Sequence, residues 1–310
     1  MAERVTGRFA PTPSGRLHLG NLLCAMLAYL SARSQDGRFL LRIEDLDVPR
    51  CPRRLSIQAI EDLAWFGFRW DEEPLWQSER TAVYEAHLKR LQEKGLVYPC
   101  FCTRAQLHAS AAPNLGDTQY VYSGTCAHLT DEEVRELSQV RRPAMRLRVP
   151  EETLSFADGL YGWQSENLAR DCGDFILRRS DGLFGYQLAV VADDALSGVN
   201  EVVRGRDILT ATPRQIYLLR ELGYPVPRYI HIPLLMDADG RRLAKRDRDL
   251  DLTALSRRFT PEELLGMLAF SAGILDEARP VTLEGLIPLF DWKKVRREDM
   301  RLPQILTEKR

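Results

Sequence analysis

Short apolar runs alternate with longer amphipathic stretches through the N-terminal part of the chain, the pattern of a sheet whose strands are separated by helices. Residues 8–10 read as a strand and 22–34 as the apolar helix after it, stopped at Gly37. Residues 39–44 (FLLRIE) form a continuous apolar run, suited to a strand covered on both faces, and Asp45 and Asp47 end it. A helix over 55–66 comes next, then Gly67, the aromatic stretch around Trp70, and residues 77–80 leading into a helix over 81–94. From Tyr98 to about Arg170 the alternation breaks down, leaving a short charged helix at 131–139 and strand-like pieces at 144–149 and 154–157. It resumes with strands at 175–178, 186–191 and 201–203 and a helix at 213–222. Past Pro225 the chain is Pro-punctuated, with a hairpin turning at 237–240 and mostly helices beyond. The pattern predicts an α/β fold: a parallel sheet in two halves, 1–97 and 173–225, split by an insert over 98–172 and followed by a helical region over 226–310.

Composition narrows the class. With 310 residues, 45% hydrophobic and 28% charged, the chain has the make-up of an ordinary soluble globular protein, long enough for two or three domains. No apolar run is long enough to span a membrane, and the N-terminus has no apolar signal core, so a cytoplasmic monomer without a membrane partner is expected. In that compartment six cysteines do not suggest a disulfide framework. A net charge of −1 gives no general attraction to nucleic acid, so any RNA surface must be a local patch. Lys293, Lys294, Arg296 and Arg297, beside Trp292, form one candidate; a solvated helix face is the alternative reading.

Residues 8–21 carry the most chemistry. Arg8, Phe9 and Ala10 lead through Pro11, Thr12 and Pro13 into a turn at Ser14–Gly15, and His18, Gly20 and Asn21 stand at the mouth of the first helix. Strand, tight loop and helix start are what a parallel sheet uses to hold phosphate, because the first helical N–H groups and the helix dipole face the anion. Neither a GxGxxG fingerprint nor a GxxxxGK[ST] loop is present. A second basic run, Gly240-Arg241-Arg242-Leu243-Ala244-Lys245-Arg246, leaves the Asp239-Gly240 turn. In the insert, Cys100, Cys102 and Cys126 could hold zinc, with His108 or His128 as the fourth ligand on chemical grounds; free buried thiols are the alternative.

Together these stretches resemble the class I aminoacyl-tRNA synthetases. Residues 11–18 match the Pro-x-Pro-x-Gly-x-Leu-His form of the "HIGH" signature in the glutamyl branch, with Asn21 in place of the last His. The run at 240–246 matches the "KMSKS" loop, Lys245 standing for the phosphate-facing lysine, Arg242 for the first lysine and Ala244 for the serine. The resemblance implies a Rossmann-like catalytic domain split by a zinc-bearing insert, then a small helical stem-contact domain. It also implies ATP held by His18, Gly20, Asn21, Arg242 and Lys245, with His18 and Lys245 catalytic and Mg2+ accompanying the nucleotide. L-Glutamate would lie against residues 8–12 (Arg8, Phe9, Ala10, Pro11, Thr12), Glu44, Tyr186 and Arg204. Glu44 would accept from the substrate ammonium, and Arg204 would clamp the side-chain carboxylate through paired hydrogen bonds that Lys cannot copy. Taken singly, Glu44 could be a strand-end carboxylate, Tyr186 a core residue and Arg8 half of a structural ion pair. For zinc the resemblance names Tyr122, four residues before Cys126, as fourth ligand.

About 65 residues follow the Lys245 loop, too few for the large anticodon-binding domain of the discriminating enzymes. That length, Asn21 and the short insert resemble the truncated paralogues that esterify glutamate to queuosine at the wobble position of tRNA(Asp). A compact enzyme charging acceptor ends and an inert tRNA-binding paralogue are the alternatives.

Overall fold

The computed structural model describes residues 4–103, 121–236 and 252–301. The expected turn at 237–240 and the basic run after it lie outside the described residues. The chain begins with three strand–helix units: β1 (Thr6–Phe9) and α1 (Leu19–Arg33), β2 (Arg38–Ile43) and α2 (Arg53–Trp65), β3 (Leu75–Trp76) and α3 (Thr81–Glu93). Strand β1 pairs parallel with β2, Arg8 opposite Leu40, and β2 pairs parallel with β3. Helix α1 is apolar all round and buried almost throughout, from Leu19 to Ala32, which suits a helix enclosed between the sheet and further layers.

The next stretch is antiparallel. Strands β4 (Val97–Cys100), β5 (Ala144–Leu147) and β8 (Phe175–Arg178) form one three-stranded sheet, with helix α4 (Asp131–Val140) before β5. Between β5 and β8, β6 (Thr153–Asp158) and β7 (Gly162–Asn167) make a hairpin. Residues 175–178, expected to resume the parallel alternation, thus pair antiparallel with β5 instead. Residues 186–191, read as a buried strand, are the start of helix α5 (Tyr186–Leu196). Leu188 to Asp194 are buried without a break, so no amphipathic period marks the helix, and a short apolar run is ambiguous by pattern alone. A close approach fixes its start: a Cβ on Gly185, the N-cap, would lie 2.4 Å from the Ile176 carbonyl oxygen.

Strand β9 (Glu201–Gly205), helix α6 (Thr212–Leu222) and strand β10 (Arg228–Ile232) complete the parallel layer. Strand β10 lies in the Pro-punctuated stretch where no strand is predicted. Beside β1 runs β9, tied by the Asn200 N–H donating to the Thr6 carbonyl (3.1 Å) and the Thr6 N–H donating to the Asn200 side chain (2.8 Å). The ladders β1–β3 and β9–β10 thus lie side by side in the order β3-β2-β1-β9-β10, joined at Asn200 and Thr6 rather than by a β1–β9 ladder. A short strand β11 (Leu235–Met236) pairs with the last described strand, β12 (Met300–Arg301). Between them lie helices α7 (Leu252–Leu255), α8 (Pro261–Ala272) and α9 (Leu283–Leu286), whose leucines join the same core as α1. The Lys293–Arg297 cluster sits on turns rather than a helix. Trp292 belongs to the packing beneath it, its indole N–H donating to Ser31 Oγ (2.9 Å). No helix among the described residues is long and apolar enough to cross a membrane.

Candidate active site

The order of adjacent strands reverses where β9 lies beside β1, and at their carboxyl ends opens a cleft of about 370 Å3. That is where open α/β sheets receive ligands. Arg8 to Thr12, His18, Gly20, Asn21, Glu44, Tyr186 and Arg204 all line it, brought together from β1 and its loop, the α1 mouth, the end of β2, the start of α5, and β9. Arg16, Asp207 and residues 232–235 also line it, without having been marked by the sequence. Arg242 and Lys245 lie outside the described residues, as does His108.

His18 is the N-cap of α1, in extended backbone geometry, and forms a reciprocal capping box with Asn21. The Asn21 N–H donates to His18 Nδ1 (3.3 Å), and the His18 N–H donates to Asn21 Oδ1 (3.1 Å). Asn21 thus has a definite structural task at the place where the signature's last His would stand. With Nδ1 accepting, the neutral ring carries its proton on Nε2. The ring lies over Gly20, where an added Cβ would come within 3.0 Å of Cε1. No acidic residue occupies the first turn, so the helix mouth retains its attraction for an anion.

The cleft's carboxylates and guanidiniums divide into two groups. Asp194, on α5, accepts from Arg8 Nε (3.1 Å) and from Arg42, and Arg42 Nη2 also donates to Glu44 Oε1 (3.2 Å). Arg8 therefore sits in the structural ion pair anticipated as its alternative. Burial opposes Asp194 ionisation, yet Arg42 and Arg8 hold its carboxyl below the usual range. For Glu44 the balance is reversed: burial raises its pKa despite Arg42 and Arg8. Thr12 Oγ1 donates to Glu44 Oε2 (3.2 Å), and the Glu44 N–H donates to the Pro11 carbonyl (3.0 Å), pinning the β1 loop to β2.

Arg204 is different. It is only 4% exposed and, among the described residues, has no carboxylate partner. Its acceptors are all neutral side chains: His231 Nε2 (2.9 Å), Gln215 Oε1 (2.7 Å) and Thr212 Oγ1 (2.7 Å). A guanidinium has five N–H donors, so one remains on each terminal nitrogen, the number a bidentate carboxylate accepts. Burying a charge without a counter-charge is costly, and a carboxylate entering the cleft would relieve that cost. Tyr186, 39% exposed at the start of α5, faces the same space.

In the antiparallel region the Cys100, Cys102 and Cys126 sulfurs lie within 4.8 Å of one another, and the group could hold a metal ion. The Tyr122 hydroxyl stands 3.5 Å from Cys100 Sγ and 3.4 Å from Cys102 Sγ, and the Cys102 and Cys126 sulfurs are 3.6 Å apart. Tetrahedral Zn–S bonds of about 2.3 Å place sulfurs roughly 3.8 Å apart, so the spacing fits. Described His128 is not part of the group. Burial raises the Cys100 thiol, but hydrogen bonds from Tyr122 and Arg146 outweigh it and bring it below its ordinary value, whereas burial and the neighbouring sulfurs push the Cys102 thiol up to about 11.

Residues 4–270 match the family described as tRNA synthetases class I (E and Q), catalytic domain. A protein of Symbiobacterium thermophilum named glutamyl-Q tRNA(Asp) synthetase is 48% identical over 309 residues, covering 96% of this chain and 95% of its own. A protein of the same name from Nitratidesulfovibrio vulgaris is 46% identical over 287 residues, covering 89% of each. Among solved structures, a glutamate tRNA ligase from Elizabethkingia meningosepticum, in complex with its amino acid, superposes with a TM-score of 0.84 at 26% identity, over 98% of this chain and 68% of that one. The family match takes in both halves of the parallel layer and every wall of the cleft, and the chain belongs to the class I tRNA synthetases of the E and Q branch.

Proposed function

We propose that the chain activates L-glutamate with ATP and transfers the glutamyl group to queuosine at the wobble position of tRNA(Asp). The observation that carries the reading is Arg204, a buried cation whose acceptors among the described residues are all neutral, on the wall of a switch-point cleft. The names of the relatives support the same substrate and acceptor.

In this reading a glutamate α-carboxylate oxygen attacks the α-phosphorus of ATP, a new O–P bond forms, and the bond to the bridging oxygen breaks to release pyrophosphate. Arg204 holds the side-chain carboxylate, with Arg8 and Tyr186 beside it, and Glu44 accepts from the ammonium. His18 and the α1 mouth steady the phosphates, with Lys245 and Arg242 closing from the basic loop and Mg2+ accompanying the nucleotide. Catalysis is positioning and charge stabilisation, worth about 3 kcal/mol for one well-placed donor. A queuosine hydroxyl then attacks the acyl carbon, AMP leaves, and its phosphate takes the hydroxyl proton. Cys100, Cys102, Tyr122 and Cys126 hold a structural zinc, which would supply a crosslink within the insert and no open position for chemistry. The helices after residue 252 serve as the stem-contact region. Free thiols suit a cytoplasmic enzyme.

The test is ATP–pyrophosphate exchange with glutamate, glutamine and aspartate, followed by mapping of labelled glutamate on tRNA fragments. Exchange with glutamate alone and label in the anticodon loop are expected. Label on the 3′-terminal fragment would replace the queuosine reading with acceptor-end charging, and absence of exchange would mean an inert paralogue.

A further inference from the structure

Behind Arg204 lies a second layer that neither the motifs nor the relatives' names assign. Arg204 on β9 and His231 on β10 are Cα partners in the parallel ladder, so their side chains stand together on one face. His231 is fully buried, and its Nδ1 lies 2.6 Å from Asp158 Oδ2, at the end of β6. Asp158 is fastened in turn: Oδ1 accepts from the N–H groups of Leu160 (3.0 Å) and Tyr161 (2.9 Å), and Oδ2 also accepts from the His231 N–H (3.1 Å). We infer that Asp158 and His231 are positioning residues that orient Arg204 for the substrate side-chain carboxylate and so set selection of glutamate over glutamine.

Matched donors and acceptors set this role, which rests on the glutamate reading of the cleft. An ionised Asp158 accepts only, so the proton of His231 sits on Nδ1 and the lone pair of Nε2 faces outward. That lone pair meets Arg204 Nε–H at 2.9 Å. The other tautomer, or a protonated ring, would set N–H against N–H. Burial holds the His231 pKa below its ordinary value although Asp158 pulls the other way, which keeps the ring neutral near pH 7. Asp158 itself stays ionised, its carboxyl below the usual range despite burial because of its hydrogen bond with His231 and the backbone donors. The arrangement fixes Arg204 without neutralising it. A carboxylate in direct contact, such as Asp194 gives Arg8 and Arg42, would orient the guanidinium but cancel the charge offered to the ligand. An imidazole placed between the carboxylate and the guanidinium separates those two effects.

The experiment compares full-length His231→Phe, His231→Gln and Asp158→Asn in pyrophosphate exchange, with thermal midpoints recorded alongside. Phe fills the ring's space without an acceptor, Gln restores an acceptor oxygen near Nε2, and Asn at 158 favours the wrong tautomer. We expect the glutamate KM to rise about tenfold or more in the Phe and Asn variants, discrimination against glutamine to fall by a similar factor, and the ATP KM to change less than twofold. The Gln variant should recover most of the loss. An unchanged glutamate KM in folded Phe and Asn variants, or equal rises in both KM values that track the thermal midpoint, would overturn the inference. The unsubstituted protein supplies a second readout should those variants fail to fold. In 15N-histidine NMR, the resonance missing from His231→Gln should show Nδ1 protonated and Nε2 bare, and the opposite tautomer would overturn the inference. Failure of the glutamate reading would look different: no glutamate-dependent exchange in the unsubstituted protein, with the tautomer unaffected.

Discussion

Two arginines on neighbouring strands of one cleft have different electrostatic situations, and their substitutions should separate accordingly. Arg8 shares Asp194 with Arg42, so Arg8→Met removes one cation from a buried carboxylate and should destabilise the fold by about 3 kcal/mol, read by urea unfolding. Arg204→Met removes a cation that, among the described residues, is hydrogen-bonded to neutral side chains rather than paired with a carboxylate. Its main effect should be a rise in glutamate KM of about a hundredfold with eroded rejection of glutamine, measured by pyrophosphate exchange. Glu44 and Asp194 should give opposite pH signatures. The depressed pKa of Asp194 contributes stability that is present above its unfolded value and lost as pH falls through the lower folded value. The raised pKa of Glu44 favours the protonated acid, so its stability contribution is lost as pH rises through the folded value. Only ionised Glu44 can answer an ammonium group. Glutamate affinity by calorimetry should therefore climb with pH through the Glu44 titration and level off, and Glu44→Gln should flatten that climb.

At the scale of elements, α1 and α5 are a contrast in legibility. Everything that shapes the mouth of α1 is local: an N-cap His, a reciprocal Asn three residues on, and a glycine under the ring. Adjacent residues encode it, so the sequence displays it. Gly20→Ala should push the His18 ring aside and slow adenylate formation about tenfold in single-turnover assays. Asn21→Ala should cost about 1 kcal/mol through the lost capping box, read as a lower midpoint in denaturant. Helix α5 offers no such local cue. Its run from Leu188 to Asp194 is buried on all sides, and its register depends on distant groups, with Asp193 accepting from Gln77 (2.8 Å), Arg80 (2.6 Å) and Tyr84 (2.8 Å). Tyr186, nominated as a site residue, does line the cleft, while the element carrying it was misread.

For the whole molecule, two predictions concern parts remote from the cleft. Metal analysis should find one zinc per chain. A strong chelator or Cys126→Ser should remove it and lower the thermal midpoint, since metal binding to a folded site is folding free energy; a metal-free protein with an unchanged midpoint would leave the thiols as packing. Lys293, Lys294, Arg296 and Arg297 are exposed on the turns around residue 292, in a chain with net charge −1. Reversing all four should weaken tRNA(Asp) binding and flatten its salt dependence, with tRNA-free glutamate activation untouched. Equal affinity at two salt concentrations would move the RNA surface to the insert around the cysteines.

Residues close together in the chain determined the chemistry that the sequence made readable. The loop and helix mouth at 8–21 and the Cys-x-Cys pair with Cys126 stand out through residue type and short spacing, whereas Tyr122 and Glu44 were nominated by the family resemblance. Which charges are neutralised was decided by tertiary structure alone. Arg8 meets Asp194 across 186 positions of sequence, and Asp158 reaches His231 across 73 to hold the imidazole against Arg204. Ion pairing and burial act through space and depend on every neighbour in the folded state. The motifs could therefore nominate both arginines, and only the fold could distinguish the one bound to a protein carboxylate from the one left facing the cleft with its charge available.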